Sequence, residues 1–290
     1  MIGFTGLPLG DGRLLKQMSK AGVSFGWRWR RLGTALAIAV LVGNQMTALA
    51  ENDSSAFDAA TQAYRKVAEG EIDAIITSAQ RMAAAMQQGD LVGARKHWIE
   101  SHAGWERLEV ITVDLFPDQQ YGIDGWPRAK TGYHAIEAWL FGPTALVPKW
   151  AVDDLLDQLD RFRRLFAEAD LNGYFLLAGA ATMTYAIGAD EADGSESAVS
   201  GTSLDDMRHN IEALQYLWKT VFADALAVKH KGLADDILTQ MAGLYALVDV
   251  PNMKLLDRSL VQQEAYGLAE KLAEAAVAFG WIAPKYKDID

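Results

Sequence analysis

With 290 residues, a formal net charge of −11 and no cysteine, the chain excludes several chemistries by composition alone. Disulfides, thiolate metal sites, iron–sulfur clusters and cysteine nucleophiles are ruled out. The acidic balance opposes nucleic acid, whose binding needs a basic face, and suits a cation binder.

The first fifty residues do not read as fold. Trp27-Arg28-Trp29-Arg30-Arg31 supplies a positive n-region, Leu32 to Val42 an apolar run, and Ala48-Leu49-Ala50 an A-x-A cleavage site before Glu51. The apolar run falls short of the roughly 20 residues a spanning helix needs, so residues 1–50 are expected to be a cleaved signal peptide. Removing them leaves 21 basic against 37 acidic residues, a net charge of −16. Export without disulfides requires the remaining chain to be held by its own core, which about 240 residues supply.

From there helix-period patterns dominate and β-branched alternation is nearly absent. The patterning predicts helices at about 56–87, 90–116, 128–141, 152–169, 172–187, 204–230, 233–248 and 257–281. Their breaks fall at Gly89-Asp90, Phe116-Pro117-Asp118, Gly142-Pro143 and Asp249-Val250-Pro251-Asn252. The acidic, small-residue segment Gly188 to Ser203 reads as a mobile loop. The expected fold is all-α: two tandem four-helix bundles, residues 51–150 and 151–290, packed across one another as one body or separated by a ligand cleft.

The second predicted helix carries the first chemistry. At about 100° per residue, His102, Glu106 and Glu109 share a face with Ile99, Val110 and Val113. Carboxylates in an apolar stripe need compensation, which an arginine, a shared proton or a metal ion would supply. Arg95 is one candidate counter-ion. His97 and Glu100 repeat the spacing on the opposite, solvated side and are read as a surface pair. The third predicted helix places His134 and Glu137 three apart beside Phe141. Two such helices side by side can aim both pairs at one point, as bundle metal sites do. Oxygen and imidazole donors without sulfur suit iron, manganese, zinc or copper(II). His209 reads as a partly exposed polar residue, His230 as a helix C-terminal cation, and Trp105, Trp126, Tyr133 and Trp139 as packing residues.

The segment Gly132-Tyr133-His134-Ala135-Ile136-Glu137 resembles the G-x-H-x-I-E motif of the imelysin-like (M75) family. Trp105-Glu106-Arg107-Leu108-Glu109 resembles the Y-E-R-I-E segment of its EfeO iron-uptake branch, and Ala94-Arg95 and Ile123-Asp124-Gly125 fall where that branch has its own counterparts. Thr202, Leu204, Asp206 and Asn210 match a later stretch, although Gly201, Ser203 and Asp205 depart from it. The resemblance implies a periplasmic binding component of two four-helix bundles, of a short form without a cupredoxin domain. It would work with a membrane iron permease and a periplasmic haem peroxidase. Glu106, Glu109, His134 and Glu137 become the implied metal site, with Asp124 and Asp206 as further candidates and iron ahead of copper or zinc. A binding protein rather than an enzyme is expected, since no G-x-S-x-G or H-E-x-x-H is present and H-x-x-E alone supplies too few ligands for a catalytic zinc. The rival ligand is an acidic, alginate-like polysaccharide, for which Arg128, Lys130, Arg161, Arg163 and Arg164 would supply the basic groove.

Overall fold

The computed structural model describes residues 32–125 and 130–287, with side chains from residue 57 onward. The signal-peptide motif at 27–31 and the residues Trp126, Pro127 and Arg128 lie outside the described residues. Residues to Ala50 and from Glu51 form two separate compact units. No described helix is long and apolar enough to cross a membrane.

The fold is all-α. The described helices are α1 (Leu32–Gln87), α2 (Leu91–Leu115), α3 (Pro117–Asp124), α4 (Gly132–Leu140), α5 (Lys149–Glu168), α6 (Gly173–Ala186), α7 (Ser203–Leu217), α8 (Ala223–Val248) and α9 (Arg258–Ala278). Several start where the sequence places a cap. Asp90, Asn172 and Asp257 each accept a hydrogen bond from the backbone N–H three residues on, satisfying one of the orphan donors of the first turn.

Within the Glu51–Asp290 unit, α2 is the central element. It packs along α6 and α7 and meets α3 and α4, while α9 lies against α6 and α8. The α2–α6 approach depends on missing side chains: a Cβ at Gly179 would sit 2.2 Å from the Val110 carbonyl oxygen. Buried rings fill the remaining space, among them Trp98, Trp105, Tyr133, Phe162, Phe166, Trp218 and Phe222. Trp105 and Tyr133 are therefore packing residues as expected, and Trp139 is half-buried against Trp150.

Three local expectations are corrected. The Phe116-Pro117-Asp118 stop does end α2, but α3 begins at once, because proline at the first helical position loses no hydrogen bond. The helix predicted over 204–230 is interrupted by a π-helical turn at Trp218–Phe222, and its end appears as a kink, with His230 at φ −133° and ψ 50° inside α8. His230 thus sits at a bend. The segment 188–203 is not a free loop. It opens with a π-helical turn, Ile187–Glu191, and buries Glu191, Glu196, Ser197, Thr202 and Ser203.

Candidate metal centre

Every buried carboxylate and both buried imidazoles of the described residues converge on one place: Glu106, Glu109, Asp124, Glu137, Glu191, Glu196 and Asp206, with His102 and His134. No lysine or arginine is buried among the described residues. Arg95, the candidate counter-ion, instead donates to the Leu140 carbonyl at 3.1 Å and lies over the Phe141 ring.

The scaffold sets this convergence. Helix α2 presents His102, Glu106 and Glu109 one turn apart on its buried face, while Ile99, one turn earlier, is exposed. Helix α3 ends on Asp124, and Gly125 closes it in the left-handed region at φ 82°. Gly132, at φ 86°, then opens α4 so close to α3 that a Cβ would lie 2.6 Å from the Ile123 carbonyl oxygen. Helix α4 is pinned to α2 by Tyr133, whose carbonyl accepts from Trp98 Nε1 at 3.2 Å and whose hydroxyl pairs with Ser101 Oγ at 2.6 Å. These contacts bring the two imidazoles edge to face, their centroids 5.0 Å apart, with Trp98 stacked on His102. Helix α7 contributes Asp206 and Asn210.

His102 is the hub. Its Nε2 lies 3.0 Å from Glu106 Oε1 and 3.8 Å from Asp124 Oδ1, and its Nδ1 lies 3.5 Å from Asp206 Oδ1. His134 Nε2 lies 3.3 Å from Asp124 Oδ1 and 3.9 Å from Glu196 Oε1. Three overlapping donor sets close enough to share a cation result: His102–Asp124–His134, His102–Glu106–Asp206 and Glu106–Glu109–Asp124.

Glu137 belongs to none of these sets. Its Oε2 faces His134 Nδ1 at 3.0 Å, and its Oε1 accepts from Val199 N, Ser200 N and Ser200 Oγ at 3.1, 2.7 and 2.7 Å. The geometry makes it the carboxylate that orients His134 and aims Nε2 into the cluster, an arrangement common behind metal-bound histidines. Asn210 Nδ2 stands where the carboxylates crowd, 3.0 Å from Glu106 Oε2, 3.1 Å from Glu109 Oε2 and 3.3 Å from Glu191 Oε1. Gln120 on α3 donates to Glu109 and accepts from Thr112.

The electrostatics follow from burial and crowding. Burial raises the pKa of Glu109 and Glu191, and neighbouring Glu106 pushes both further up; burial and then Glu191 do the same to Glu196. Burial would lower His102, but Glu106 and Asp206 outweigh it and hold the imidazole well above its usual value. His134 is likewise raised, to about 9, with Asp124 and the hydrogen bond to Glu137 together overcoming its burial. Burial is the largest single influence on Asp124 and would raise it, but the charges and hydrogen bonds of His134 and His102 together outweigh burial and drive it below the usual carboxylate range. These directions favour the protonated forms of the buried glutamates and of both imidazoles.

The donor set fits a metal ion. His102 Nε2 and Glu106 Oε1 are buried and face each other at 3.0 Å, with no well-aligned hydrogen bond to any other group. Two donors each about 2.1 Å from one cation stand roughly 3.0–3.4 Å apart, so this spacing matches a coordination edge.

Of the residues expected from the sequence, Glu106, Glu109, Asp124, His102, His134 and Asp206 enter the donor sets and Glu137 stands behind one of them. Glu191 and Glu196 were missed, because an aperiodic segment gives no face to read; their only signal was acidity among small residues. The His97–Glu100 pair is a surface contact at 2.8 Å, as its side of the wheel implied. Arg163 and Arg164, proposed for a basic groove, are both paired with Asp160.

The class the fold and site define is an all-α protein with a buried, sulfur-free carboxylate–imidazole cluster. The family model described as Imelysin (Peptidase M75) matches residues 60–278, so the chain belongs to the imelysin family. It is 25% identical over 247 residues to an Efem/EfeO family lipoprotein of Staphylococcus haemolyticus, covering 78% of this chain and 85% of the relative. It is 24% identical over 201 residues to one from Staphylococcus aureus, covering 66% and 70%. Among solved structures, a Parabacteroides distasonis protein named as an iron-regulated protein A precursor shares the fold, with a TM-score of 0.61 at 12% identity over 79% of this chain and 95% of that one.

Proposed function

We propose that this protein is the exported metal-binding component of an EfeO-type iron-uptake system, taking iron as cargo. The observation that carries the reading is the cluster itself: seven carboxylates and two imidazoles share one buried site without a buried lysine or arginine. Such a site is costly unless a cation compensates it. The inner ligands are Glu106, Glu109, Asp124 and His134, with His102 Nε2 beside them. Copper(II) and zinc suit the same donors. Relatives named Efem/EfeO family lipoproteins support the iron assignment and a place in the cell envelope, as does the signal-peptide pattern before Glu51. A membrane permease and a haem peroxidase are the partners this reading implies.

The same geometry favours a binding protein over a peptidase. A general base needs a free oxygen within reach of water, and both oxygens of Glu137 are engaged by protein groups.

Calorimetry and metal analysis with iron, copper and zinc test the proposal. Glu106→Ala and His134→Ala should each cut affinity for the preferred metal by roughly a hundredfold or more, in line with 3–5 kcal/mol for breaking a buried charged pair. Unchanged affinity in both variants would falsify the site assignment.

A further inference from the structure

A buried cluster raises the question of how a hydrated cation reaches it. Among the described residues, a cleft at the surface reaches His102 and Asp206 at the edge of the cluster. It is lined by Trp98, His102, Ala103, Thr202, Asp206 and His209, among others, and has an empty volume of about 180 Å³ including its open mouth. Exposure falls along it, from 57% for the Asp205 side chain and 28% for His209 to 4% for Asp206 and 1% for His102.

Charge is graded in the same direction. At the rim, Asp205 is paired with Arg208 Nη1 at 2.7 Å, and His209 Nδ1 lies 3.3 Å from Arg107 Nη1, which belongs with Glu71. These pairs largely cancel. At the floor Asp206 meets an imidazole and no lysine or arginine; its Oδ2 accepts from Thr202 Oγ1 at 3.1 Å. Inward of the rim, seven buried carboxylates face two imidazoles and no lysine or arginine among the described residues, so acidic groups outnumber basic ones along the path of a cation from mouth to floor.

His102 stands where the floor meets the interior, sharing one donor set with Asp206 and Glu106. Its Nδ1 faces Asp206 on the cleft side, and its Nε2 faces Glu106 and Asp124 on the other. Both nitrogens are buried and face carboxylate oxygens without a well-aligned hydrogen bond. A neutral imidazole has one lone pair, so the ring serves one side at a time. We infer that this cleft is the cation's entry and exit route, with Asp206 and His102 Nδ1 forming a transient outer station from which the ion passes to the inner ligands. The inference rests on the metal-binding reading above and adds to it a path and an order of events.

A transient station lowers the barrier in both directions, so its loss slows binding and release together and moves the equilibrium little. Stopped-flow quenching of tryptophan fluorescence by cobalt(II) reads both rates, since Trp98 stacks on His102 at 4.7 Å. Ala103→Phe narrows the cleft without touching a ligand and should slow association and dissociation by about tenfold each, leaving Kd within about threefold; ordinary affinity changes fall mostly on the off-rate. Asp206→Asn, which keeps the shape of the floor, should also slow both rates and keeps the test open if the Ala103 variant misfolds. Rates within about twofold of wild type in both variants would place the entrance elsewhere and overturn the inference. So would an Asp206→Asn effect confined to faster release, which would make Asp206 a ligand of the final site. Absence of cobalt binding by the wild-type chain would instead overturn the metal-binding reading, before any rate is measured.

Discussion

At the scale of single residues, the cluster separates groups that meet a cation from groups that aim them. His134 offers Nε2 to the interior only while Nδ1 carries the proton, and Glu137 Oε2 at 3.0 Å enforces that tautomer. Glu137→Gln is therefore more informative than alanine. The amide keeps the size of the side chain and an acceptor for Ser200, but turns an N–H toward Nδ1. The favoured tautomer then carries its proton on Nε2, where the metal lone pair was. Affinity should fall by about 10–100-fold, as for other carboxylates behind metal-bound histidines, with the thermal midpoint little changed. Titration calorimetry and a melting curve on the same preparation check it; an undiminished affinity would show that Glu137 does not orient the ligand.

At the scale of elements, the site depends on how α3 hands over to α4. Gly132 adopts φ 86°, and the nearest obstacle to a Cβ is backbone, the Ile123 carbonyl oxygen at 2.6 Å, which no side-chain rotation relieves. Gly132→Ala should cost at least about 2 kcal/mol, from the left-handed conformation and the clash together, and lower the melting point by roughly 4–8 °C. It should also weaken metal binding, because Asp124 and His134 flank the joint; normal stability with normal affinity would refute this account. Much of this scale was legible in the sequence. Helical periodicity located α2 and α4 and separated His102, Glu106 and Glu109 from the look-alike His97 and Glu100. Its failures have physical causes. Proline at 117 reads as a stop although it is equally a helix start. The segment 188–203 lacks periodicity, so its folding over the site through Glu137 contacts to Val199 and Ser200 is a tertiary effect with no local trace.

At the scale of the whole molecule, the chain stores an excess of like charge in its interior, and protons hold it together when no metal does. His134, raised to about 9 from an ordinary 6.5, contributes stability that is complete below 6.5 and is lost as pH rises through 9. Glu109, Glu191 and Glu196, raised above an ordinary 4.5, act in the same direction, since the folded state binds their protons more tightly than the unfolded chain. Asp124 and Glu137 oppose them only in acid: their lowered pKa values give stability that is present above 3.8 and 4.5 and disappears as pH falls. Between pH 6.5 and 9 the raised groups therefore dominate, and the metal-free protein should melt at progressively lower temperature. A bound cation replaces the protons, so the stabilisation it gives should grow over the same interval and its binding should release protons to the buffer. Thermal unfolding with chelator and with zinc, from pH 6 to 8.5, measures both curves. Their divergence with rising pH is the expected result; parallel curves would mean that the buried glutamates and the metal do not compete for one site.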